Sequence, residues 1–368
     1  MSPRAFGRAL VVLLARLVFG KPKRGPVGDV RKLIVIRTDE RVGNVLLTIP
    51  LLRALRKGLP GTEIVLLHAA SKAAIVRGLP WVDRLEPFAR KEFFKRPWRL
   101  AAQLWRLRRE RFDVAIEAGH YHAFSLTAAL VARVIGARVV IGHDRGPARA
   151  FFDHAVPQPQ GVQHDVSVKL ALAAPLGVAP AGIELETPLG ADPASLAEAA
   201  AMLEVLGVAE RRLLLVNPGA RKLDRRWPPS AYAAAAARLA ERFDLLPVVF
   251  WGPGEEALAA EVVERIGGEA CVAPPTDLRQ LAALLRLGTL VLTNDTGPMH
   301  LAVAAGTPTV AIFLVGDHQR WGHPLPHFAA VPVGDRPADT GVLEEVERAA
   351  AGVVDTRAGE PERSAFVS

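Results

Sequence analysis

The sequence predicts an α/β protein made of two doubly wound domains in succession, and three observations carry that expectation. Short apolar runs of strand length alternate with helical stretches, the pattern of parallel strands joined by helical crossovers. At 368 residues the chain is longer than one ordinary core accommodates. The alternation lapses in a Gly-, Pro- and Ala-rich stretch at residues 176–193 and then resumes. Apart from this double use of an αβ unit there is no short repeat. With half its residues hydrophobic and 23% charged, the chain is globular in composition and not disordered. Its single cysteine, Cys271, excludes an internal disulfide and a cysteine-cluster metal site, and fits a reducing compartment.

Residues 1–30 form a basic amphipathic lead-in. Its apolar part, RAFGRALVVLLARLVF at 4–19, is shorter than the roughly 20 residues of a spanning helix and is interrupted by Arg8 and Arg16. Lys21, Lys23 and Arg24 follow where a cleaved signal would need small residues. The segment fits a helix in the membrane interface as well as one packed on the domain surface. The first domain is expected over 31–185. Leu33-Ile34-Val35-Ile36 reads as a buried strand, residues 37–44 as a polar loop, and Val45 onward as a helix with Pro50 near its start. Further strands are expected at Ile64-Val65-Leu66-Leu67, at Val114-Ala115-Ile116 and at Arg138-Val139-Val140-Ile141. Residues 91–111 are basic, with Trp98 and Trp105 on one helical face. That stretch suits either a packed helix with solvated arginines or a surface for a phosphorylated acceptor or anionic lipid.

The second domain is expected over 186–350, followed by a disordered tail at 351–368. A helix at 194–206 precedes the strand Leu213-Leu214-Leu215-Val216 and the turn Asn217-Pro218-Gly219-Ala220. A helix at 232–242, the strand Pro247-Val248-Val249-Phe250, a short strand at Cys271-Val272 and helices at 278–287 and 342–351 complete it. Between the last two helices stands LVLTNDTGPMHLAVAAGTP at 290–308, the stretch richest in chemistry. An apolar strand runs into Thr293, Asn294, Asp295 and Thr296, then Gly297, Pro298 and a helix from Met299 that carries His300 in its first turn. A helix N-terminus beyond a strand end offers unpaired N–H groups and partial positive charge, which suits a phosphate or nucleotide.

Charge is divided along the chain. Residues 1–185 hold 30 basic against 14 acidic side chains, a net +16, and the remainder holds 16 against 24, a net −8. The basic half favours an anionic partner such as a phosphorylated substrate or a membrane surface. Nucleic acid is unsupported, because aromatics do not interleave with the basic residues. Absent motifs narrow the chemistry further. There is no G-x-x-x-x-G-K-[ST], no G-x-G-x-x-G after a strand, no H-E-x-x-H and no G-x-S-x-G, which argues against P-loop NTPases, nicotinamide dehydrogenases, zinc hydrolases and esterases. What remains suits a nucleotide diphosphate: cations at Arg221, Lys222, Arg225 and Arg226, and carboxylates at Glu255 and Glu256.

These residues carry a resemblance. RTDERVGNVLLTIP at 37–50 and, more specifically, NDTGPMHLAVAAGTPTVAIF at 294–313 are similar to the two signatures of the lipopolysaccharide heptosyltransferase family, glycosyltransferase family nine. NPGA, RRWP and WGPGEE lie between them in the same order. The resemblance implies a GT-B architecture, two Rossmann-like domains facing across a cleft, the first binding the acceptor and the second the sugar nucleotide. It implies inverting, metal-free transfer with no cofactor, from ADP-heptose to a lipopolysaccharide-core or related glycolipid acceptor. The protein would be cytoplasmic, peripheral on the inner face of the inner membrane, and a monomer.

Carried over by position, Arg221, Arg225, Glu255, Asp295, Thr296, Gly297 and His300 would bind the donor, while Arg37, Gly43 and His120 would meet the acceptor. One departure matters. The family's first loop reads Gly-Asp, with that Asp as general base, and this chain has Gly43-Asn44. Asparagine cannot take a proton at neutral pH. Asp39, Glu40 or Glu117 is then expected to substitute as the base; the alternative is a catalytically silent sugar-nucleotide-binding protein of the same fold.

Overall fold

The computed structural model describes residues 25–89, 95–121 and 125–354. The amphipathic segment at 4–19, residues 355–368 of the expected tail and the first residues of the basic stretch at 91–111 lie outside them; residues 351–354, expected in the disordered tail, instead continue the last helix, Thr340–Val354, where Val353 is buried. The chain divides into two compact units, Met1–Ile183 and Glu184–Ser368.

Each unit is built on one six-stranded sheet. In the first, β1 (Lys32–Arg37), β2 (Glu63–Ala69), β3 (Arg84–Phe88), β4 (Val114–Glu117), β5 (Val139–His143) and β6 (His154–Val156) run in the order β3-β2-β1-β4-β5-β6. In the second, β7 (Leu213–Asn217), β8 (Leu246–Val249), β9 (Cys271–Val272), β10 (Leu290–Asn294), β11 (Thr309–Phe313) and β12 (Phe328–Pro332) run in the order β12-β11-β10-β7-β8-β9. Every pairing is parallel. Read from the first strand of each unit, the two orders are the same. In both, the first and fourth strands are neighbours, so the order reverses between β1 and β4 and between β7 and β10. Ligands bind beyond the carboxyl ends of the strands at such a reversal.

The central strands are apolar on both faces because helices cover both. Leu33 to Ile36, Leu213 to Val216 and Leu290 to Leu292 are all essentially inaccessible to solvent. Burial on this scale contributes about 1.5–3 kcal/mol per large aliphatic side chain. Four strands, β3, β6, β11 and β12, do not appear among the sequence expectations. β3 contains Glu86 and Pro87 and forms a sheet edge, where proline is tolerated because no neighbour needs its missing N–H.

The first helix differs from expectation. Instead of one helix from Val45, there are two, Val42–Leu46 and Ile49–Gly58. Pro50 has no N–H to donate and is accommodated only in a first turn, so the second helix starts just ahead of it. Thr48 bridges the break by donating its hydroxyl to the Asn44 carbonyl at 3.0 Å. Gly43 and Asn44 therefore sit on a helical turn, and the true loop is shorter than residues 37–44.

Candidate functional site

In the second unit the polar strand end divides into scaffold and site. The Asn294 amide donates to the carbonyls of Pro218 and Gly219 at 2.9 and 3.2 Å, and its oxygen accepts the Trp227 N–H at 3.2 Å. Asn217, at the end of β7, donates to Thr293 Oγ1 at 3.1 Å. Thr293 and Asn294 are thus buried clamps between β10 and the loop after β7. The residues beyond them are the candidate binding groups. The helix Gly297–Ala304 starts two residues before the expected Met299, with extended Thr296 at its cap position and Pro298 in its first turn. No side chain caps it, so its first N–H groups stay available to an anion.

Asp295 lies just ahead of that helix, 7% exposed, and accepts a bond from Arg225 Nη1. Burial pushes its carboxyl up to about 6, with Asp317 adding to the rise and Arg225 opposing it. Arg225 comes from the short helical turn Leu223–Arg225 in the loop after β7. The next residue, Arg226, donates to the Ala220 carbonyl and to Glu255 Oε1, both at 2.7 Å. Glu255 also accepts the Gly252 N–H at 3.2 Å. A β-carbon on Gly219 would collide with this carboxylate, so glycine is what lets Glu255 approach the loop after β7. Arg221 is exposed on the same loop. His300, 6% exposed, pairs its Nδ1 with His323 Nε2 at 2.8 Å, the two rings standing perpendicular.

In the first unit a buried charged network gathers at the ends of β1, β4 and β5. Arg37, the last residue of β1, donates to the Ala118 carbonyl at 2.7 Å and meets His120 Nε2 at 3.2 Å. A guanidinium only donates, so His120 Nε2 accepts there and its proton sits on Nδ1, facing Asp165 Oδ1 at 3.3 Å. Asp165 in turn pairs with buried Lys169 one helical turn on. Burial, reinforced by Arg37, pushes the Lys169 ammonium well below its usual range, and burial brings Arg37 down to about 10. His143 and His164 stay neutral, lowered to about 3 and about 4 chiefly by burial.

The three carboxylates named from sequence stand in different settings. Glu117 is fully buried and bonded by Arg145 Nη2. Glu40 is exposed. Asp39 is partly exposed, accepts the Arg41 N–H at 2.8 Å and stands 4.0 Å from His120 Nε2. Asn44 is 6% exposed, and its Nδ2 has no hydrogen-bond partner among the described residues. Gly43 is buried beside it. Sequence reasoning missed Arg145, Asp165, Lys169 and His323. Arg145 lies just beyond the expected strand Arg138-Val139-Val140-Ile141 and could have been found there; the others carry no local signal. Among the described residues, no group of three or more His, Cys, Asp or Glu side chains could hold a metal ion.

The family profile of glycosyltransferase family 9 (heptosyltransferase) matches residues 101–342, which includes the 294–313 signature but not the one at 37–50. Lipopolysaccharide heptosyltransferase 3 of Escherichia coli is 27% identical over 295 residues, 76% of this chain and 82% of that protein. The lipopolysaccharide core heptosyltransferase OpsX of Haemophilus influenzae is 24% identical over 293 residues, 77% of this chain and 79% of that protein. Among solved structures, a family 9 glycosyl transferase from Veillonella parvula superposes with a TM-score of 0.73 at 22% identity, covering 90% of this chain and 99% of that one. E. coli heptosyltransferase WaaC with ADP gives 0.68 at 21% identity, covering 86% and 99%. These likenesses show the GT-B fold class of paired Rossmann-like units. Because the family profile spans more than half of its length, the chain belongs to glycosyltransferase family 9, the heptosyltransferase family.

Proposed function

We propose that this glycosyltransferase moves a heptose-like sugar, with inversion and without a bound metal, from ADP-heptose to a lipopolysaccharide-core or related cell-surface glycolipid. The observation that carries the proposal is the end of β10, where buried Asp295 meets Arg225 beside an uncapped helix N-terminus. Those groups suit a sugar nucleotide. Arg225, Arg221 and the first N–H groups of the helix Gly297–Ala304 offset the charge of the leaving diphosphate. Glu255, fixed by Arg226, is placed to accept from nucleoside hydroxyls, and Thr296, Gly297 and His300 complete the donor side. The curated relatives are named as lipopolysaccharide heptosyltransferases, which supports the donor and acceptor classes.

Inversion requires the acceptor hydroxyl to attack in line with the leaving phosphate while a base takes its proton. We assign that role to Asp39, the carboxylate that combines partial exposure with a place on the first loop, beside His120. Glu117 is bound to Arg145 and supports the acceptor side, with Arg37, Gly43 and His120, without moving a proton. Asn44 orients the acceptor hydroxyl through its amide. Transfer takes place at the inner face of the cytoplasmic membrane, with the protein a peripheral monomer; no helix among the described residues is long and apolar enough to cross a membrane.

Asn44 also favours a second reading, a silent binder of sugar nucleotides that has lost its base. A radiolabelled transfer assay against a membrane glycolipid extract separates the two. Label in the glycolipid supports the transferase, and donor binding without transfer supports the binder.

A further inference from the structure

The helix Pro97–Arg109 buries one face and leaves the other bare. Leu100, Leu104 and Leu107 pack on the core formed by Ile34, Ile36, Val65 and their neighbours. On the opposite side, Trp98 and Trp105 are 65% and 60% exposed. They are seven residues apart and, with exposed Ala101 and Ala102 between them, form one stripe at helical spacing. Exposed tryptophans in such a stripe have no role in folding the unit, because everything the helix gives the core is on its leucine face. No acidic residue occurs in the helix. Arg99 and Arg106 flank the stripe on one side and Arg108 on the other, while the Arg109 guanidinium lies over the Trp105 ring, 4.6 Å from its centre. Arg106 is tied to Glu86 and Glu110, whereas Arg99 makes no ion pair among the described residues.

We propose that this tryptophan face docks on an anionic lipid bilayer, with the indoles at headgroup depth and the flanking arginines against lipid phosphates. Apolar rings flanked by arginines, on a helix without a carboxylate, are the composition of a helix lying in a membrane interface. A protein partner would be expected to meet the arginines with fixed carboxylates; a bilayer supplies mobile anions at any spacing. The topology gives the face a purpose. A crossover helix between parallel strands returns from the carboxyl ends of the sheet to its amino ends, so Trp98 in the first turn lies toward the end that holds Arg37 and Glu117. Trp105 follows about 10 Å further along the axis. Docking through this face brings the acceptor side of the unit to the surface where a glycolipid acceptor resides, a consequence that rests on the acceptor proposed above; the docking itself does not.

The test uses the full chain with vesicles of phosphatidylglycerol and phosphatidylcholine, the acyl chains brominated to quench tryptophan within contact. The other four tryptophans, Trp81, Trp227, Trp251 and Trp321, are buried or half-buried, so quenching reports on Trp98 and Trp105. Vesicles rich in phosphatidylglycerol should bind and quench, and pure phosphatidylcholine should bind far less. The double variant Trp98→Ala/Trp105→Ala, which no longer carries the reporting indoles and is followed by co-sedimentation, should bind on the order of tenfold more weakly, with Phe at both positions restoring most of the binding. Equal binding by the Ala variant, or binding of the wild-type chain without quenching, would overturn the proposal and assign the membrane contact elsewhere. So would a wild-type chain that ignores anionic vesicles, or a dimer that dissociates in the Ala variant, which would make a second copy the occupant. Transfer to a detergent-solubilised acceptor, measured alongside, should be unchanged in the Ala variant. Failure of docking and failure of the transferase reading are therefore read separately.

Discussion

Asp295→Asn is expected to stabilise the second unit at pH 8, to change nothing at pH 4, and to weaken donor binding. The carboxyl is raised from 3.8 to about 6, chiefly by burial and against the pull of Arg225. Each pKa unit corresponds to about 1.36 kcal/mol, so the ionised form is disfavoured in the folded protein by roughly 3 kcal/mol. Because the folded value is raised, the carboxyl's favourable contribution is present in full below the unfolded value near 4. It fades as pH rises through 6, and above that the whole cost is carried. An amide never ionises and still offers Arg225 an oxygen, so about 1–3 kcal/mol should be recovered at pH 8. For a unit of this size that is a rise of several degrees in Tm. Thermal melts of the full chain at pH 4, 6 and 8 measure it. The same change removes a charge from the proposed donor site, and calorimetry with the sugar nucleotide should show a loss of about 1.5–3 kcal/mol. A variant whose gain over the parent is no larger at pH 8 than at pH 4 would refute the burial argument, and unchanged donor affinity would remove Asp295 from the donor site.

The base assignment is tested by turnover: Asp39→Asn should lower it by about 10²–10⁴ with donor binding little changed, whereas Glu40→Gln should have little effect. If instead Asn44→Asp raises turnover above the parent, the chain had lost its base and Asp39 had not replaced it. Gly219→Ala should force Glu255 off Gly252 and Arg226, weakening donor binding about tenfold and stability by about 1–3 kcal/mol; an unaltered donor isotherm would show that this carboxylate is not needed. Transfer should survive excess EDTA, and its abolition with recovery on added magnesium or manganese would defeat the idea that arginines and a helix N-terminus offset the diphosphate charge.

Much of the architecture was legible along the chain. β1, β2, β4, β7 and β10 read as apolar runs because strands covered by helices on both faces carry no polar face to confuse the pattern. The edge strands β3, β6 and β12 did not, because an edge is half wet and its composition resembles a loop; Glu86 and Pro87 in β3 show why. Arg225, Glu255 and Asp295 were nameable as donor-site candidates because short polar and charged residues cluster after apolar runs. The sequence pattern puts Gly43 and Asn44 in a loop because nothing local announces the separate turn that Pro50 imposes.

Partnerships were settled by the tertiary structure alone. Arg145 reaches Glu117 across 28 positions, His120 reaches Asp165 across 45, and Arg225 reaches Asp295 across 70. Residue pattern encodes which face of an element turns inward, since that depends on neighbours one turn or one pleat away. Which strand lies beside which depends on crossovers that set β1 against β4 and β7 against β10. The second of these adjacencies brings together the polar ends that make Asn294 a buried clamp and leave Asp295, one residue on, at the candidate donor site.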